Sequence, residues 1–448
     1  MKQPRYETVT LEKIVGGGQA LGTLSDGRKC FVWGGLPDET VTFRVTKKKA
    51  HFIEGIVTEV LHASPERIAP RDASSYLSTS PWQIMTFSAE QNYKAALIKE
   101  AFELHNVVLP HKIDVYTDRR KFQYRNKVEF SWFSERAGES YPDTLDLAFF
   151  RRGSKGKIIV NECSLLPSGI ITLAHSIRDL LHRKHISARQ LKTLLIRSNQ
   201  QGSCVWQLYI KDRLPNIITR EETEMLPAQG GEIIYSDPRS PASRITARLA
   251  KFGDTTLTDT VLGTPFRYAC EGFFQVNIPV YEQALRDMQE WVSYPRCTTL
   301  ANNDTGGENL PVIDLYAGVG TIGLTIGGDN ATLIEINESA VAEMQRNITA
   351  LGRANARAVL APSEKALDFI TPNHVVIVDP PRAGLHADVI AKLLETAPPR
   401  IIYLSCNPVT QARDTALLTE EYNIRAHRGY NFFPRTPHIE HLVVLDRK

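Results

Sequence analysis

The C-terminal part of the sequence constrains the fold most, because short, mainly apolar runs alternate there with segments of helical spacing. The runs lie at residues 312–315, 331–336, 374–379, 400–406 and 441–445. Strands that are apolar on both faces are buried on both faces, as happens in a parallel sheet covered by helices. The pattern therefore predicts a doubly wound α/β domain of the Rossmann type.

A glycine-rich turn follows the first of these runs. Gly318, Gly320 and Gly323 fit the GxGxxG pattern, and Glu335 ends the next predicted strand 17 residues after Gly318. The glycines let the backbone approach a ligand closely, and an acidic side chain at this spacing can accept hydrogen bonds from the ribose hydroxyls. The turn therefore predicts an adenosine site, which fits either NAD or S-adenosyl-L-methionine.

Polar residues stand at the predicted carboxyl ends of four strands. These are Asp314, Glu335, Asp379 and Cys406. Ligands and catalytic groups of open α/β sheets collect at this edge. The two prolines after Asp379 stiffen a loop for which hydride transfer has no evident use, so the loop favours S-adenosyl-L-methionine over NAD.

Cys406 and Glu440 are the candidate catalytic residues. A uracil ring becomes nucleophilic at C5 after a thiolate adds to C6, and a base must then remove the C5 proton. Cys406 adjoins the predicted ligand edge, which favours a nucleophile over a buried hydrophobic residue. For Glu440, a general base and a solvated loop acid are equally good interpretations of the sequence.

Two further domains precede the α/β domain. Residues 1–62 show about five short strand patterns with Gly-rich turns, which predict an OB-like β-barrel with residues 47–49, three lysines, on a loop. Residues 88–275 predict a central α+β domain that begins with a linking helix over 88–104. Alternating apolar and polar positions within 110–262 predict an antiparallel sheet, with another helix near 171–182. The α/β domain then covers residues 276–448.

Charge and cysteine usage indicate the partner and the compartment. The net charge is only +3, but residues 171–220 hold nine Lys/Arg and two Asp/Glu, a local charge of +7 that fits a polyanion. The six cysteines form no CxxC pair, no run is long and apolar enough to cross a bilayer, and no signal peptide is evident. We therefore expect a cytoplasmic protein with no membrane association, no metal site and no obligate protein partner.

The chain resembles the RNA uracil-5-methyltransferases, which form 5-methyluridine. The matching stretches are residues 124–130, 272–277, 314–323, 378–384, 403–408 and 433–442. The first 60 residues resemble the TRAM domain of that family. The resemblance implies a class I methyltransferase domain behind a TRAM barrel and a central RNA-binding domain, with RNA as the partner. The TRAM domain favours ribosomal RNA, with tRNA next.

The resemblance also implies roles for individual residues. Cys406 is the nucleophile that adds to C6, and Glu440 is the base that takes the C5 proton. Arg125 contacts RNA. The S-adenosyl-L-methionine site is lined by Gln275, Tyr316, Glu335 and Asp379.

One departure from the family concerns an iron–sulfur cluster that many relatives hold with four cysteines. The stretch that matches the first three, residues 72–83, contains no cysteine, and only Cys163 matches the fourth. A single thiolate cannot hold a four-iron cluster. We therefore expect no cluster, with Cys163 as a buried remnant.

Two alternatives remain open at this point. An NAD-dependent oxidoreductase would use the GxGxxG turn alone. A non-catalytic RNA-binding protein would use the barrel and the basic middle of the chain, and it would need neither Cys406 nor Glu440.

Overall fold

The computed structural model describes residues 4–135, 144–292 and 310–448. The chain forms two compact units, each assembled from separate stretches. Unit 1 comprises Met1–Tyr93, Arg120–Leu257 and Phe433–Pro437, and unit 2 comprises Lys94–Arg119, Thr258–Phe432 and His438–Lys448. The domain limits expected from the sequence, 1–62, 88–275 and 276–448, stay a prediction. None of the helices in the described ranges combines the length and apolar composition that crossing a lipid bilayer requires.

Unit 1 begins with a closed barrel of five strands in the order β1-β2-β3-β5-β4. The strands are β1 (Tyr6–Ile14), β2 (Ala20–Thr23), β3 (Lys29–Trp33), β4 (Thr40–Lys48) and β5 (Phe52–His62). Alternate residues point inward, and the buried set includes Val9, Leu11, Val41, Phe43 and Ile53. The predicted OB-like barrel is confirmed.

Two helices and a short strand follow the barrel. They are α1 (Tyr76–Thr79), α2 (Phe87–Glu103) and β6 (Val115–Tyr116). Helix α2 matches the predicted linking helix to within one residue at each end. Its second half buries Ile98, Ala101 and Phe102 in the core of unit 2.

The second sheet of unit 1 has seven strands in the order β13-β12-β11-β10-β7-β8-β9. Its strands are β7 (Lys127–Phe133), β8 (Asp146–Phe150), β9 (Lys157–Ile159), β10 (Leu191–Ser198), β11 (Cys204–Ile210), β12 (Gly230–Tyr235) and β13 (Ala247–Gly253), with helices α3 (Ser168–Arg183) and α4 (Arg220–Glu224) between them. Helix α3 covers the range predicted near 171–182. The sheet was predicted to be antiparallel, whereas β11 and β12 run parallel.

Unit 2 contains a mixed eight-stranded sheet in the order β18-β17-β16-β19-β20-β22-β21-β6. The elements that follow β13 begin, in chain order, with β14 (Thr256–Val261), which starts in unit 1, β15 (Thr264–Ala269), α5 (Ile278–Val292), β16 (Val312–Leu315), α6 (Thr321–Ile326), β17 (Ala331–Glu335) and α7 (Glu338–Ala350). They continue with β18 (Arg357–Leu360), β19 (Val375–Val378), α8 (Ala387–Thr396), β20 (Arg400–Ser405), α9 (Pro408–Leu418), β21 (Tyr422–Tyr430) and β22 (Glu440–Arg447). The predicted Rossmann-like sheet is confirmed.

Strand polarity divides this sheet into two parts. Strands β18, β17, β16, β19 and β20 are parallel, and β19 and β20 are buried along their whole length. The strand order reverses at β16, which lies between β17 and β19, so a ligand crevice is expected at its carboxyl end. Beyond β20, strands β22 and β21 are antiparallel, which the sequence pattern did not predict.

Candidate functional site

The turn after β16 is held by the acid that ends β17. Glu335 accepts a hydrogen bond from the backbone N–H of Gly318 (2.9 Å) and a second from Asn337 (2.8 Å). The two bonds use one lone pair of each carboxylate oxygen, so each oxygen keeps capacity for another donor. Glu335 is thus placed where the sequence predicts a ribose acceptor, and it also shapes the glycine turn.

The glycines of this turn serve different geometric needs. Gly318 has a positive φ of 58°, and a Cβ added there would meet no protein atom within 4 Å. At Gly323, a Cβ would lie 2.1 Å from Leu333 Cδ2, so only glycine lets α6 pack this closely on the sheet. The open space beside Gly318 is available to a ligand, whereas the absence of a side chain at Gly323 serves the packing of α6 on the sheet.

Asp314 is the most deeply buried acid of the site. It is 0% exposed; its Oδ2 accepts the N–H of Gly323 (2.8 Å), and its Oδ1 is a buried oxygen without a hydrogen-bond partner. Its pKa is raised to about 8, chiefly by burial; the carboxylates of Asp379 and Glu335 contribute to the rise, and the hydrogen bond from Gly323 opposes it. An unpartnered buried carboxylate oxygen is expensive, so this edge of the sheet favours a cationic or hydrogen-bond-donating ligand.

Tyr316 and Gln275, the other two predicted cofactor residues, also lie in unit 2. Tyr316 adopts a left-handed φ of 66°, which is uncommon outside glycine, and its hydroxyl is hydrogen-bonded to Ser363. Strained backbone of this kind concentrates at functional sites. Gln275 is 7% exposed and lies in the turn between β15 and α5.

The register of β20 against β22 brings Cys406 to Glu440. Ser405 pairs with His441 in this antiparallel ladder, so the next residue of one strand faces the first residue of the other. Cys406 is the partly exposed member of the five described cysteines, and the other four are buried. Glu440 is only 4% exposed, so the solvated-acid interpretation is wrong.

The electrostatics of this pair depend on two residues of the loop after β19. Burial raises the pKa of Cys406 to about 12, with Glu440 and Asp379 raising it and Arg382 lowering it. Burial also raises the pKa of Glu440 well above its ordinary value; Asp379 adds to this and Arg382 opposes it. Asp379 itself has a pKa raised to about 7 by burial. The structure therefore brings the predicted residues Asp379, Cys406 and Glu440 together.

Arg382 is a site residue that the sequence analysis did not single out. Its carbonyl accepts hydrogen bonds from Asn407 Nδ2 (2.8 Å) and Thr410 Oγ1 (3.2 Å), and its guanidinium donates to Nδ1 of His438 (3.2 Å). The backbone of Arg382 is thereby fixed beside the Cys406 loop, and its charge faces both candidate catalytic groups. The sequence does contain a signal for Arg382, because this residue directly follows the two prolines after Asp379.

Tyr281 is a second residue that the sequence analysis missed. It lies in α5, is 3% exposed, and Asp379 and Asp314 both raise its pKa after the larger effect of burial. Its ring packs edge-on against Phe432 at a centroid distance of 5.9 Å. In the sequence it occupies an ordinary apolar-face position of a helix, so no pattern distinguishes it.

Arg125 belongs to unit 1, whereas the six predicted cofactor and catalytic residues belong to unit 2. Its backbone N–H donates to Leu165, and its Nε donates to the carbonyl of Lys127 (3.2 Å). Also in unit 1, Arg71 lies 5.2 Å from the ring centroid of Phe122. Exposed cations beside aromatic rings are the side chains that stack and neutralise single-stranded RNA.

The lysines of the barrel loop are less free than the sequence indicates. Lys47 and Lys48 are the last residues of β4, not loop residues, and only Lys49 lies beyond the strand. Lys47 forms an ion pair with Glu54 (2.6 Å). Exposed Lys48 and Lys49 are therefore the cations that this end of the barrel offers to a polyanion.

The place of the iron–sulfur cluster of the relatives holds a hydrogen-bond network. Gln83 Nε2 donates to Asp72 (2.9 Å) and to Ser80 Oγ (2.6 Å), and Ser164 Oγ donates to Asp72 (2.8 Å). Neighbouring Cys163 is buried, and burial raises the pKa of its thiol to about 11. Hydroxyl, amide and carboxyl groups beside a single protonated thiol do not fit a thiolate-bound cluster, and within the described ranges no group of three or more potential metal ligands is found.

Sequence comparison places this geometry in a known context. A model of the tRNA (Uracil-5-)-methyltransferase family matches residues 87–448. A protein of Lactiplantibacillus plantarum described as an uncharacterized RNA methyltransferase is 28% identical, with 94% of this chain and 93% of that protein covered. One of Nitratidesulfovibrio vulgaris with the same description is 25% identical, with 98% and 96% covered.

Structural comparison shows the same fold over the whole length. The crystal structure of the tRNA (uracil-54, C5)-methyltransferase of Pyrococcus abyssi, in complex with S-adenosyl-L-homocysteine, superposes with a TM-score of 0.76. The two chains are 19% identical, and the match covers 98% of this chain and 100% of the other. The similarity shows a shared fold.

Proposed function

The chain belongs to the tRNA (uracil-5-)-methyltransferase family, and on that premise we propose that it transfers a methyl group from S-adenosyl-L-methionine to C5 of a uridine in RNA through a covalent adduct with Cys406. The observation that carries the proposal is the pairing of a partly exposed thiol with a buried carboxyl, Glu440, at the ligand edge of the sheet. Neither an oxidoreductase nor a binding protein needs this pair, and family membership favours the methyltransferase over both.

The reaction begins with addition of the Cys406 thiolate to C6 of the uracil. The new S–C bond moves the electrons of the C5–C6 double bond towards O4, so C5 becomes nucleophilic and takes the methyl group. A pKa of about 12 keeps the thiol protonated near neutral pH, so addition to C6 requires the S–H proton to pass to a neighbouring base. We assign this proton to Asp379, whose pKa of about 7 leaves part of it ionised at neutral pH and whose charge acts on the Cys406 thiol. Arg382 is the cation that favours the thiolate, because a positive charge close to a thiol stabilises its ionised form.

Glu440 completes the reaction by removing the C5 proton. The electrons of the C5–H bond restore the C5–C6 double bond, and the sulfur leaves as a thiolate. Its buried setting raises the pKa of Glu440, which makes the carboxylate a stronger base than an exposed acid. We assign Asp379, which raises the pKa values of both Cys406 and Glu440, a contact with the edge of the uracil ring.

The cofactor residues fit S-adenosyl-L-methionine. When bound, this cofactor supplies an electrophilic methyl group on a positively charged sulfur. Glu335 keeps lone pairs for ribose hydroxyls, and exposed Ile336 beside it offers an apolar face to a flat ring. Asp314 and Asp379 place two buried carboxyl groups at the same edge, and a positively charged ligand would favour their ionised forms. Tyr316 and Gln275 complete the lining.

The substrate is RNA, held in part by unit 1. The barrel and the exposed contact of Arg71 with the ring of Phe122 suit an unpaired strand whose target base is turned outward. Arg125 is proposed as one of these RNA contacts. Ribosomal RNA and tRNA are the two candidate substrates, with the TRAM-like barrel favouring ribosomal RNA.

Methyl transfer to defined RNAs tests the proposal. The purified protein is incubated with S-adenosyl-L-methionine and either ribosomal RNA or tRNA transcripts, and the nucleosides are analysed by mass spectrometry. We expect 5-methyluridine in one of the two RNAs, and S-adenosyl-L-methionine rather than NADH bound by the protein. Methylation of another base, or binding of NADH alone, would overturn the proposal.

A further inference from the structure

Gln411 links the elements that carry Cys406 and Glu440. It lies in the first turn of α9, a helix that begins two residues after Cys406, and its side chain is 0% exposed. Its Nε2 donates to the carbonyls of Tyr403 in β20 and of His441 in β22, both at 2.9 Å. One amide group therefore bonds to the strand that ends one residue before Cys406 and to the strand that begins at Glu440.

The amide oxygen of Gln411 extends this link to the side chain of His441. Both N–H groups of Gln411 are used by carbonyls, so its Oε1 faces His441 and accepts a hydrogen bond from Nδ1 at 2.8 Å. His441 is 0% exposed, packs edge-on against Phe102 and lies 3.2 Å from His427 through its Nε2. Because Oε1 cannot donate, the His441 ring carries its proton on Nδ1.

We propose that Gln411 is a positioning residue for the reaction, fixing the separation between Cys406 and Glu440 through its bonds to Tyr403 and His441. The inference rests on the proposed roles of Cys406 and Glu440. The ladder between β20 and β22 sets which residues face each other. The three hydrogen bonds of Gln411 additionally fix the position of α9 relative to both strands. They thereby also fix the loop that carries Cys406. Small displacements of reacting groups reduce rates strongly, whereas substrate affinity depends on other contacts.

The test compares Gln411→Met with Tyr422→Phe. Methionine keeps the length of the side chain and removes all three hydrogen bonds. Tyr422 is equally buried, and the carbonyls of Leu393 and Pro398 share the one hydrogen that its hydroxyl donates, at the end of the sheet away from Glu440. The control variant therefore loses buried hydrogen bonds to carbonyls without touching the site.

The readout is the kinetics of methyl transfer to RNA containing ordinary or C5-deuterated uridine. For Gln411→Met we expect kcat to fall at least tenfold, KM for RNA to stay within twofold, and the deuterium isotope effect on turnover to increase, because a displaced Glu440 slows C5–H cleavage. Tyr422→Phe should keep kcat and the isotope effect within twofold. An unchanged kcat and isotope effect in Gln411→Met, or the same losses in Tyr422→Phe, would overturn the inference.

Two further measurements keep this outcome distinct from other failures. If the wild type forms no adduct with RNA containing 5-fluorouridine, the proposed function fails, whatever Gln411 does. If Gln411→Met does not fold, nitrogen-15 NMR of the wild-type imidazoles decides: a neutral His441 with its proton on Nδ1 supports the link, and one with its proton on Nε2 excludes it.

Discussion

Replacing Asp314 by Asn should stabilise the protein by an amount that depends on pH. The carboxyl is fully buried, with one oxygen unpartnered and two acids nearby, and its pKa rises from 3.8 to about 8 on folding. The amide of Asn keeps an oxygen to accept the N–H of Gly323, and it carries no charge to bury. The variant thus removes the electrostatic cost and retains the hydrogen bond.

The sign and the size of the effect follow from proton linkage. Because the pKa of Asp314 is raised on folding, the stability that the carboxyl contributes is complete below pH 3.8 and is lost as the pH rises towards about 8. One pKa unit corresponds to about 1.4 kcal/mol. At pH 7, roughly three units above the unfolded value, the wild type should therefore be less stable than the variant by on the order of 4 kcal/mol.

Urea unfolding of the two proteins between pH 5 and 7.5, without cofactor, measures this difference. The advantage of Asp314→Asn should grow by about 1.4 kcal/mol per pH unit. Glu420→Gln, which removes an exposed acid of the same unit, serves as the control and should show no such slope. An advantage of Asp314→Asn that is absent, or equal at both ends of the pH range, would refute the assignment of a costly buried carboxyl.

Three further predictions concern the base, the cluster and the barrel. Glu440→Gln should lower turnover by ~10²–10⁴ and accumulate a methylated covalent complex, seen by mass spectrometry of the intact adduct; near-normal turnover would place the base elsewhere. Protein purified without oxygen should be colourless and lack stoichiometric iron, because Cys163 alone cannot hold a cluster; roughly four irons per chain, measured by elemental analysis, would contradict this. Changing Lys48 and Lys49 together to Ala should weaken RNA binding and reduce its salt dependence, whereas Lys47→Ala, which removes an already paired lysine, should have little effect; filter binding at several salt concentrations decides.

The sequence predicts the cofactor half of the site well, because that half is local. The strand before Gly318, the glycine turn and the acid at Glu335 lie within about two dozen residues, and their spacing alone requires a strand, a turn, a helix and a strand. Burial of Asp314 follows from its place inside a continuous apolar run. Its unpartnered oxygen does not, because that depends on side chains from other elements.

The catalytic half of the site joins residues that are far apart in the sequence. This explains why the sequence alone favours neither a general base nor a solvated acid for Glu440. Its meeting with Cys406 requires β22 to run antiparallel beside β20 in one register, and a slip by one residue would turn Glu440 to the other face. No residue spacing in the sequence predicts that register. Tyr281 was missed for the same reason, since its proximity to Asp379 arises only from tertiary packing.

Charge counting overestimated the basic surface of residues 171–220. Arg197 is completely buried, and Lys184 pairs with Glu222 at 2.8 Å. Lys192 donates to the carbonyls of Asp237 and Ser240 and thereby holds a loop. A cation engaged in this way is less available to phosphate groups, so local net charge is a poor measure of an RNA-binding surface.

Covalent trapping tests the central claim most directly. RNA containing 5-fluorouridine has no removable proton at C5, so the reaction should stop after methyl transfer with the ring still bound to Cys406. With S-adenosyl-L-methionine present, we expect a methylated protein–RNA complex that survives denaturing electrophoresis, a linkage that peptide mass spectrometry assigns to Cys406, and no complex with Cys406→Ala. A complex that persists in Cys406→Ala, or 5-methyluridine formed by that variant, would contradict the account.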